Sequence, residues 1–334
     1  MLPFVYHRDY VTPLPPGHRF PMPKFALLRD HLLTAGIATA DQFHEPAPAT
    51  DAELHLVHDP AYVRAFRQGT LPADAVRKIG LPWSPGLVTR TVTAVGGTLR
   101  TAELALEQGL ACNTAGGTHH AFAGRGSGFC IFNDLAVTAA VLLDRGAVDR
   151  VLILDLDVHQ GDGTAAIFRD EPRFAGRVFT CSVHCGANFP MRKQRSDVDV
   201  ALEPGMGDQA YLETITDGVK PGGCGPRVAA SASASASASA SAVFRGVADL
   251  IERIEPDLVL YDAGADVHAD DTLGRLALSD AGLFARDRLV LDTCRRLGVP
   301  AACVIGGGYD RDHARLAVRH ATLHRAASAV ARSS

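Results

Sequence analysis

The stretch 153–164, ILDLDVHQGDGT, begins as an apolar strand and then places Asp155, Asp157, His159 and Asp162 close together. Carboxylates at the end of a buried strand are costly unless something compensates them. A cation is the first candidate. Alternate residues of a strand point the same way, so Asp155, Asp157 and His159 share a face. Asp157 and His159 can then grip one metal ion, and Asp266, in YDAGAD after another apolar run, can supply a third ligand. Two carboxylates and one imidazole suit Zn²⁺ with a position open for water, and Fe²⁺ or Mn²⁺ tolerate the same set.

Three further fragments carry chemistry. GGTHHAF holds the adjacent His119 and His120 behind a Gly pair. Hydrolysis at a metal needs a base for the water and an acid for the leaving amine. Two imidazoles divide that labour if each has a carboxylate behind it, which fixes the tautomer and raises basicity. Asp155 and Asp162, left over from the metal set, are the expected partners. VIGGGYDRDH offers glycines that let backbone approach a ligand closely, followed by Tyr309, whose hydroxyl can donate to a developing oxyanion. It lacks the G-x-G-x-x-G spacing of a nucleotide loop. In GSGFCIFND, Phe129 after Gly128 is placed to wall a narrow channel.

These residues need a frame. The apolar runs 151–156, 178–183, 258–261 and 301–305 read as parallel strands buried on both faces. Helical patterns lie at 92–108, at 134–145 after an Asn133/Asp134 start signal, and at 279–297. Strand–helix alternation predicts one α/β domain over 1–334, an open, doubly wound, mostly parallel sheet with helices on both faces. Such sheets bind ligands beyond the carboxyl ends of their strands. There the runs deliver Asp155 to Asp162, His184, Asp262 with Asp266 and His268, and Gly306 to Tyr309. Segment 222–242 ends in a Ser-Ala alternation and reads as a flexible surface insertion without catalytic role, between helices at about 211–219 and 243–254.

Composition narrows the class. The 334 residues are 47% hydrophobic and carry a net charge of −4, which argues against a basic nucleic-acid-binding face. Seven Cys with no CxxC pair read as buried free thiols in a reducing compartment. Cys181-Ser-Val-His184-Cys185 has no second cluster to complete a structural zinc site. No secretory signal is visible, and no apolar run reaches membrane-spanning length. The expectation is a soluble cytoplasmic protein, or a nuclear one if eukaryotic, with no membrane partner.

In their order and context, GGTHHAF, GFCIFNDLAV, DLDVHQGDGT, GAD and GGGYD resemble the histone deacetylase superfamily. The resemblance extends to HRDY…HRFPMPKF and HDPAYV, and GGTHH with the compact length is most similar to the bacterial-type and class IV branch. It implies the arginase–deacetylase fold and a zinc-dependent amidohydrolase acting on Nε-acetyl-lysine, histone-like proteins included. Carried over by motif, Asp157, His159 and Asp266 are the implied zinc ligands. His120 with Asp162 is the implied general base, His119 with Asp155 its electrostatic and acid partner, and Tyr309 the oxyanion donor. Phe129 and Phe189 are the implied channel walls, with Gly128 and Gly307 also at the substrate. A structural K⁺ is implied near Asp155, Asp157, His159, Ser182 and Val183. Thr118 stands where better-known members carry Trp, so the shape of that wall is open.

Three competitors follow. A binuclear manganese ureohydrolase needs an Asp where Gly161 stands. An acetylpolyamine or other small-molecule amidase would share every catalytic residue. A non-catalytic acyl-ligand-binding protein would be expected to lack one of these residues, and none is missing.

Overall fold

The computed structural model describes residues 1–169, 171–219, 227–230 and 244–333. Nine strands occur among them: β1 Phe4–Val5, β2 Phe43–His44, β3 Leu110–Asn113, β4 Val151–Asp155, β5 Val178–Cys185, β6 Val198–Leu202, β7 Arg227–Ala230, β8 Leu258–Asp262 and β9 Ala301–Val304. They form one sheet in the order β2-β1-β3-β9-β8-β4-β5-β6-β7. Every pairing is parallel except β6 with β7.

All four expected strands form. Those of two residues, β1 and β2, are too short for any periodicity to show. Strand β7 falls within the stretch 222–242 that reads as an insertion. Its backbone pairs with the free edge of β6, and edge pairing satisfies main-chain groups whatever the side chains are. Residues 222–226 and 231–242, Cys224 among them, lie outside the described residues.

The helices are α1 Lys24–Thr34, α2 Asp51–His55, α3 Pro60–Gln68, α4 Ala73–Ile79, α5 Pro85–Gln108, α6 Asp134–Asp144, α7 Asp162–Arg169, α8 Asp208–Asp217, α9 Val247–Ile254, α10 Asp280–Arg296 and α11 His313–Arg332. Sequence signals set their ends. Asn133 caps α6 by accepting from the Ala136 amide, and Ser279 caps α10 by accepting from Gly282. Helix α5 starts earlier than its apolar periodicity, at a Ser84 cap followed by Pro85. Helix α9 starts later than 243, because Gly246 takes a φ of 99°.

The centre of the sheet positions the chemistry. Strands β4 and β8 are buried at every position. Their register pairs Val151 with Leu258 and ends by placing Asp155 directly opposite Asp262. Fully burying a Val, Leu or Ile side chain contributes about 1.5–3 kcal/mol, so these apolar runs offset the cost of the acids at their tips. Because β3, β9, β8 and β4 are adjacent and parallel, the loops after all four emerge at one edge.

A buried histidine braces that edge. The His58 ring lies with Nδ1 3.1 Å from the Phe122 carbonyl, while Nε2 accepts from the Asn133 amide at 2.9 Å. It ties the segment after α2 both to the GGTHHAF loop and to the start of α6. Burial pushes its pKa down to about 4, against the pull of the Ala123 and Phe122 carbonyls. Protonation would set a donor against the Asn133 N–H. Above its ordinary value of 6.5 the ring is neutral in both folded and unfolded chains. Below that, only the unfolded chain takes the proton until about pH 4. We therefore expect up to about 3 kcal/mol of stability to be lost over that window through this one group. Denaturant titrations of wild type and His58→Gln across it should show a less stable variant at neutral pH with a shallower decline toward acid.

Candidate active site

Strand β4 ends at Asp155, yet the residues after it remain ordered by their own backbone. The Leu156 amide donates to the Asp262 carbonyl, the Asp157 amide to Asp155 Oδ1 at 3.0 Å, and the His159 amide to Asp157 Oδ1 at 2.9 Å. Asp266 arrives from the short turn Ala265–Val267 after β8. His159 Nδ1 lies 3.1 Å from both Asp157 Oδ1 and Asp266 Oδ2. The three expected ligands thus converge, with ligand atoms within 4.8 Å of one another and all three residues buried. Three main-chain amides help to compensate the carboxylates, Val158 on Asp266 and His159 and Gly307 on Asp157. Burial disfavours a charged His159, but Asp157 and Asp266 carry it up to about 10. Asp266 is pushed up to about 7 by burial and by Asp157. Two acids and one imidazole, buried together at the base of a cavity, fit a divalent cation.

The tandem histidines stand beside this cluster, their ring centroids 4.2 Å apart. His119 Nδ1 is 2.9 Å from Asp155 Oδ2, and His120 Nδ1 is 2.6 Å from Asp162 Oδ1. Each imidazole therefore has its own carboxylate, as the leftover acids of the motif suggested. Their electrostatics diverge. Burial opposes a charge on His119, yet Asp155 and Asp157 hold it well above the ordinary range. His120 is lowered to about 4 by burial and by the neighbouring His119 charge. One ring charged and one neutral is the division that acid–base chemistry needs.

The channel above is aromatic. Gly128 and Phe129 both take left-handed backbone, with φ of 54° and 67°, and the Phe129 amide donates to the Ile79 carbonyl at the end of α4. The Phe129 ring lies 6.0 Å from that of Tyr309. Phe189, 41% exposed, stands perpendicular to His120 at 4.8 Å, at the outer end. Tyr309 lines the same cavity as His120, Asp157 and His159. Burial first, then Asp266 and Asp157, pushes its phenol well above 10, so it keeps its proton. A Cβ on Gly307 would lie 2.0 Å from Asp266 Oδ2, so only glycine fits there.

Comparison with known proteins decides the family. The histone deacetylase domain family matches residues 18–325. The chain belongs to the histone deacetylase family. It is similar to an uncharacterized protein of Picosynechococcus sp., 53% identical over 97% of this chain and 98% of the relative. Histone deacetylase 2 of Arabidopsis thaliana is 27% identical over 90% of this chain and 71% of the relative. The crystal structure of a histone deacetylase homolog from Aquifex aeolicus shares the fold, with a TM-score of 0.73, 22% identity, and coverage of 97% of this chain and 84% of that one.

Several residues around this histone deacetylase site escaped sequence reasoning. Asp262, noted only as a strand-end acid, is fully buried 3.6 Å from His119 Nδ1, and neither of its carboxylate oxygens has a hydrogen-bond partner among the described residues. Burial and Asp155 push its carboxyl well above the ordinary range. Asp134, besides opening α6, accepts from the Gly117 and Thr118 amides and from Thr98 Oγ1, which fixes the turn before the histidines. Thr118 Oγ1 lies 2.6 Å from the Phe132 carbonyl and 2.5 Å from Asp134, so this residue braces the turn. Lys24 donates to the Gly306 and Gly308 carbonyls beneath the glycine loop, and burial lowers it to about 8. Two strand-end histidines, by contrast, do not join the site. His184 pairs with Ser182 Oγ, and His268 faces Asp280.

Asp266→Ala removes one of three convergent ligands while emptying only a small buried volume. Elemental analysis of the purified variant should show bound divalent metal reduced at least about tenfold relative to wild type; stoichiometric metal in the variant would remove Asp266 from the ligand set.

Proposed function

We propose that this protein is a metal-dependent deacylase that hydrolyses the amide of Nε-acyl-lysine, acetyl-lysine in the first instance. The observation that carries the reading is the pairing of each adjacent histidine with a separate carboxylate, beside three convergent metal-ligand residues at the base of an aromatic channel. A divalent ion held by Asp157, His159 and Asp266, zinc by preference and Fe²⁺ as an alternative, supplies Lewis acidity toward the acyl oxygen and water.

The chain's own residues do the rest. Phe129 and Phe189 flank the neutral acyl-lysine side chain, and Gly128 and Gly307 present backbone to it. His120, neutral and oriented by Asp162, takes the proton of the attacking water at Nε2. Tyr309 donates its hydroxyl to the acyl oxygen as negative charge develops there. His119, kept charged by Asp155, stabilises that charge and gives its proton to the departing lysine amine, and the proton taken up by His120 restores it before the next turnover. The same reading places a structural K⁺ among Asp155, Asp157, His159, Ser182 and Val183, held mainly by main-chain oxygens. Its support is the register that sets Asp155 beside Ser182.

Six of the described cysteines are free and buried, which suits a reducing compartment such as the cytoplasm. Among the described residues no helix is long and apolar enough to cross a membrane.

Side-by-side kcat/KM on metal-reconstituted protein tests the reading, with an acetyl-lysine peptide, a long-chain acyl-lysine peptide and an acetylated polyamine. A lysine peptide should lead, and its acyl chain names the activity. A clear preference for the polyamine would overturn the substrate assignment. Tyr309→Phe should keep its metal and lose roughly 10²–10³-fold in kcat, the usual cost of one oxyanion donor; near-wild-type turnover would remove Tyr309 from the mechanism.

A further inference from the structure

We propose that the mouth of the channel selects acyl-lysine sites flanked by acidic residues, an inference that rests on the deacylase reading above. Three segments build the outer wall, and each brings cations with it. His18 and Phe20 pack against Phe129, with ring centroids 6.2 and 5.4 Å away, and exposed Arg19 lies between them. Exposed Arg77 and Lys78 occupy the last turn of α4, whose Lys78 and Ile79 carbonyls receive the Gly128 and Phe129 amides. Exposed Arg192 and half-buried Lys193 follow Phe189, and Lys193 Nζ donates to the Asn188 and Pro190 carbonyls on either side of that ring.

Counter-charge on these segments is sparse. Asp74 pairs with Lys78 at 3.4 Å, both well exposed. Among the described residues, Arg19, Arg77 and Arg192 have no carboxylate within ion-pair distance. The acids next to the Tyr309 loop are already committed. Asp271 accepts from the Leu273, Gly274 and Tyr309 amides, Asp310 faces Arg319, and Asp270 pairs with Arg315. The rim is therefore a cationic collar on a chain whose net charge is negative.

An acyl-lysine that reaches Asp157, His159 and Asp266 leaves its main chain and its flanking side chains at this collar. Acidic flanks meet unpaired guanidinium groups there, whereas lysine- and arginine-rich tails and polyamines are repelled. Exposed charge pairs are individually weak and screened by salt. Several acting together set specificity and encounter rate.

The test uses labelled acyl-lysine peptides identical except for Glu or Lys flanks, titrated with metal-loaded protein by fluorescence anisotropy and assayed for turnover in parallel. The acidic peptide should bind about tenfold tighter at low salt, with the advantage shrinking at high salt. In the double variant Arg77→Glu/Arg192→Glu the preference should invert, which a general folding defect would not produce. Equal or tighter binding of the Lys-flanked peptide, or a preference unchanged by the double variant, overturns the proposal. A charge-dependent binding preference without turnover of either peptide supports the collar and removes the deacylase reading. Turnover of both without preference does the reverse.

Discussion

Strand pairing between β4 and β8 sets Asp155 against Asp262 at the deepest point of the catalytic edge, and much of the surrounding structure is arranged to make that juxtaposition tolerable. Two more acids, Asp157 and Asp266, follow within a few residues, all four fully or nearly fully buried. Like charges in such a place cannot all persist. Each acid meets this differently: Asp155 lies against His119, Asp157 against His159 and the Gly307 amide, and the Asp262 carboxyl is pushed well above the ordinary range by burial and Asp155. Asp266 shares His159 with Asp157 and accepts from the Val158 amide, yet burial and Asp157 still push its carboxyl up to about 7. A divalent cation at Asp157, His159 and Asp266 would balance the remainder of this buried charge set.

That remainder would pull the loops apart without a brace, and Arg286 supplies one. From α10 it reaches under the sheet edge and donates to the Leu156, Ala263 and Gly264 carbonyls, the main chain that carries both ligand loops. Its charge is met by Asp287, which also accepts from Tyr261 Oη at 2.7 Å. A buried ion pair is weak evidence for stability in itself. Here its value is geometric, because three carbonyls on two strand ends share one planar donor.

What the sequence allowed one to read follows from how far apart partners lie along the chain. Asp155, Asp157, His159 and Asp162 announce themselves because their spacing is local. Counting the acids left Asp155 and Asp162 as partners for the two histidines, and the family resemblance implied which acid backs which ring. Lys24 and Arg286 were not legible, since the partners that matter are main-chain carbonyls, Gly306 and Gly308 for Lys24 and Leu156, Ala263 and Gly264 for Arg286, and a carbonyl has no sequence signature. Asp134 looked like a helix cap, and it is also the clamp on the histidine turn. The fold was legible where strands are apolar on both faces, as in β4 and β8. It was not where two residues suffice, as in β1 and β2, nor at β7, whose place depends only on the open edge of β6.

The channel wall and its charged collar are one mechanical unit. Phe129 holds a φ of 67°, which costs a non-glycine residue about 1–3 kcal/mol and persists only where neighbours over-determine it. The neighbours that do so are the Lys78 and Ile79 carbonyls. Gly80 completes the contact, since a Cβ there would come within 3.1 Å of the Phe129 ring. The bonds that hold the aromatic wall in its strained conformation therefore also dock the last turn of α4, with Arg77 and Lys78, at the mouth. A change that releases Phe129 would free the collar as well, so acyl fit and charge selection cannot be altered independently on that side. On the opposite side, Lys193 ties Phe189 and Arg192 together through the carbonyls it bonds, and the same coupling holds.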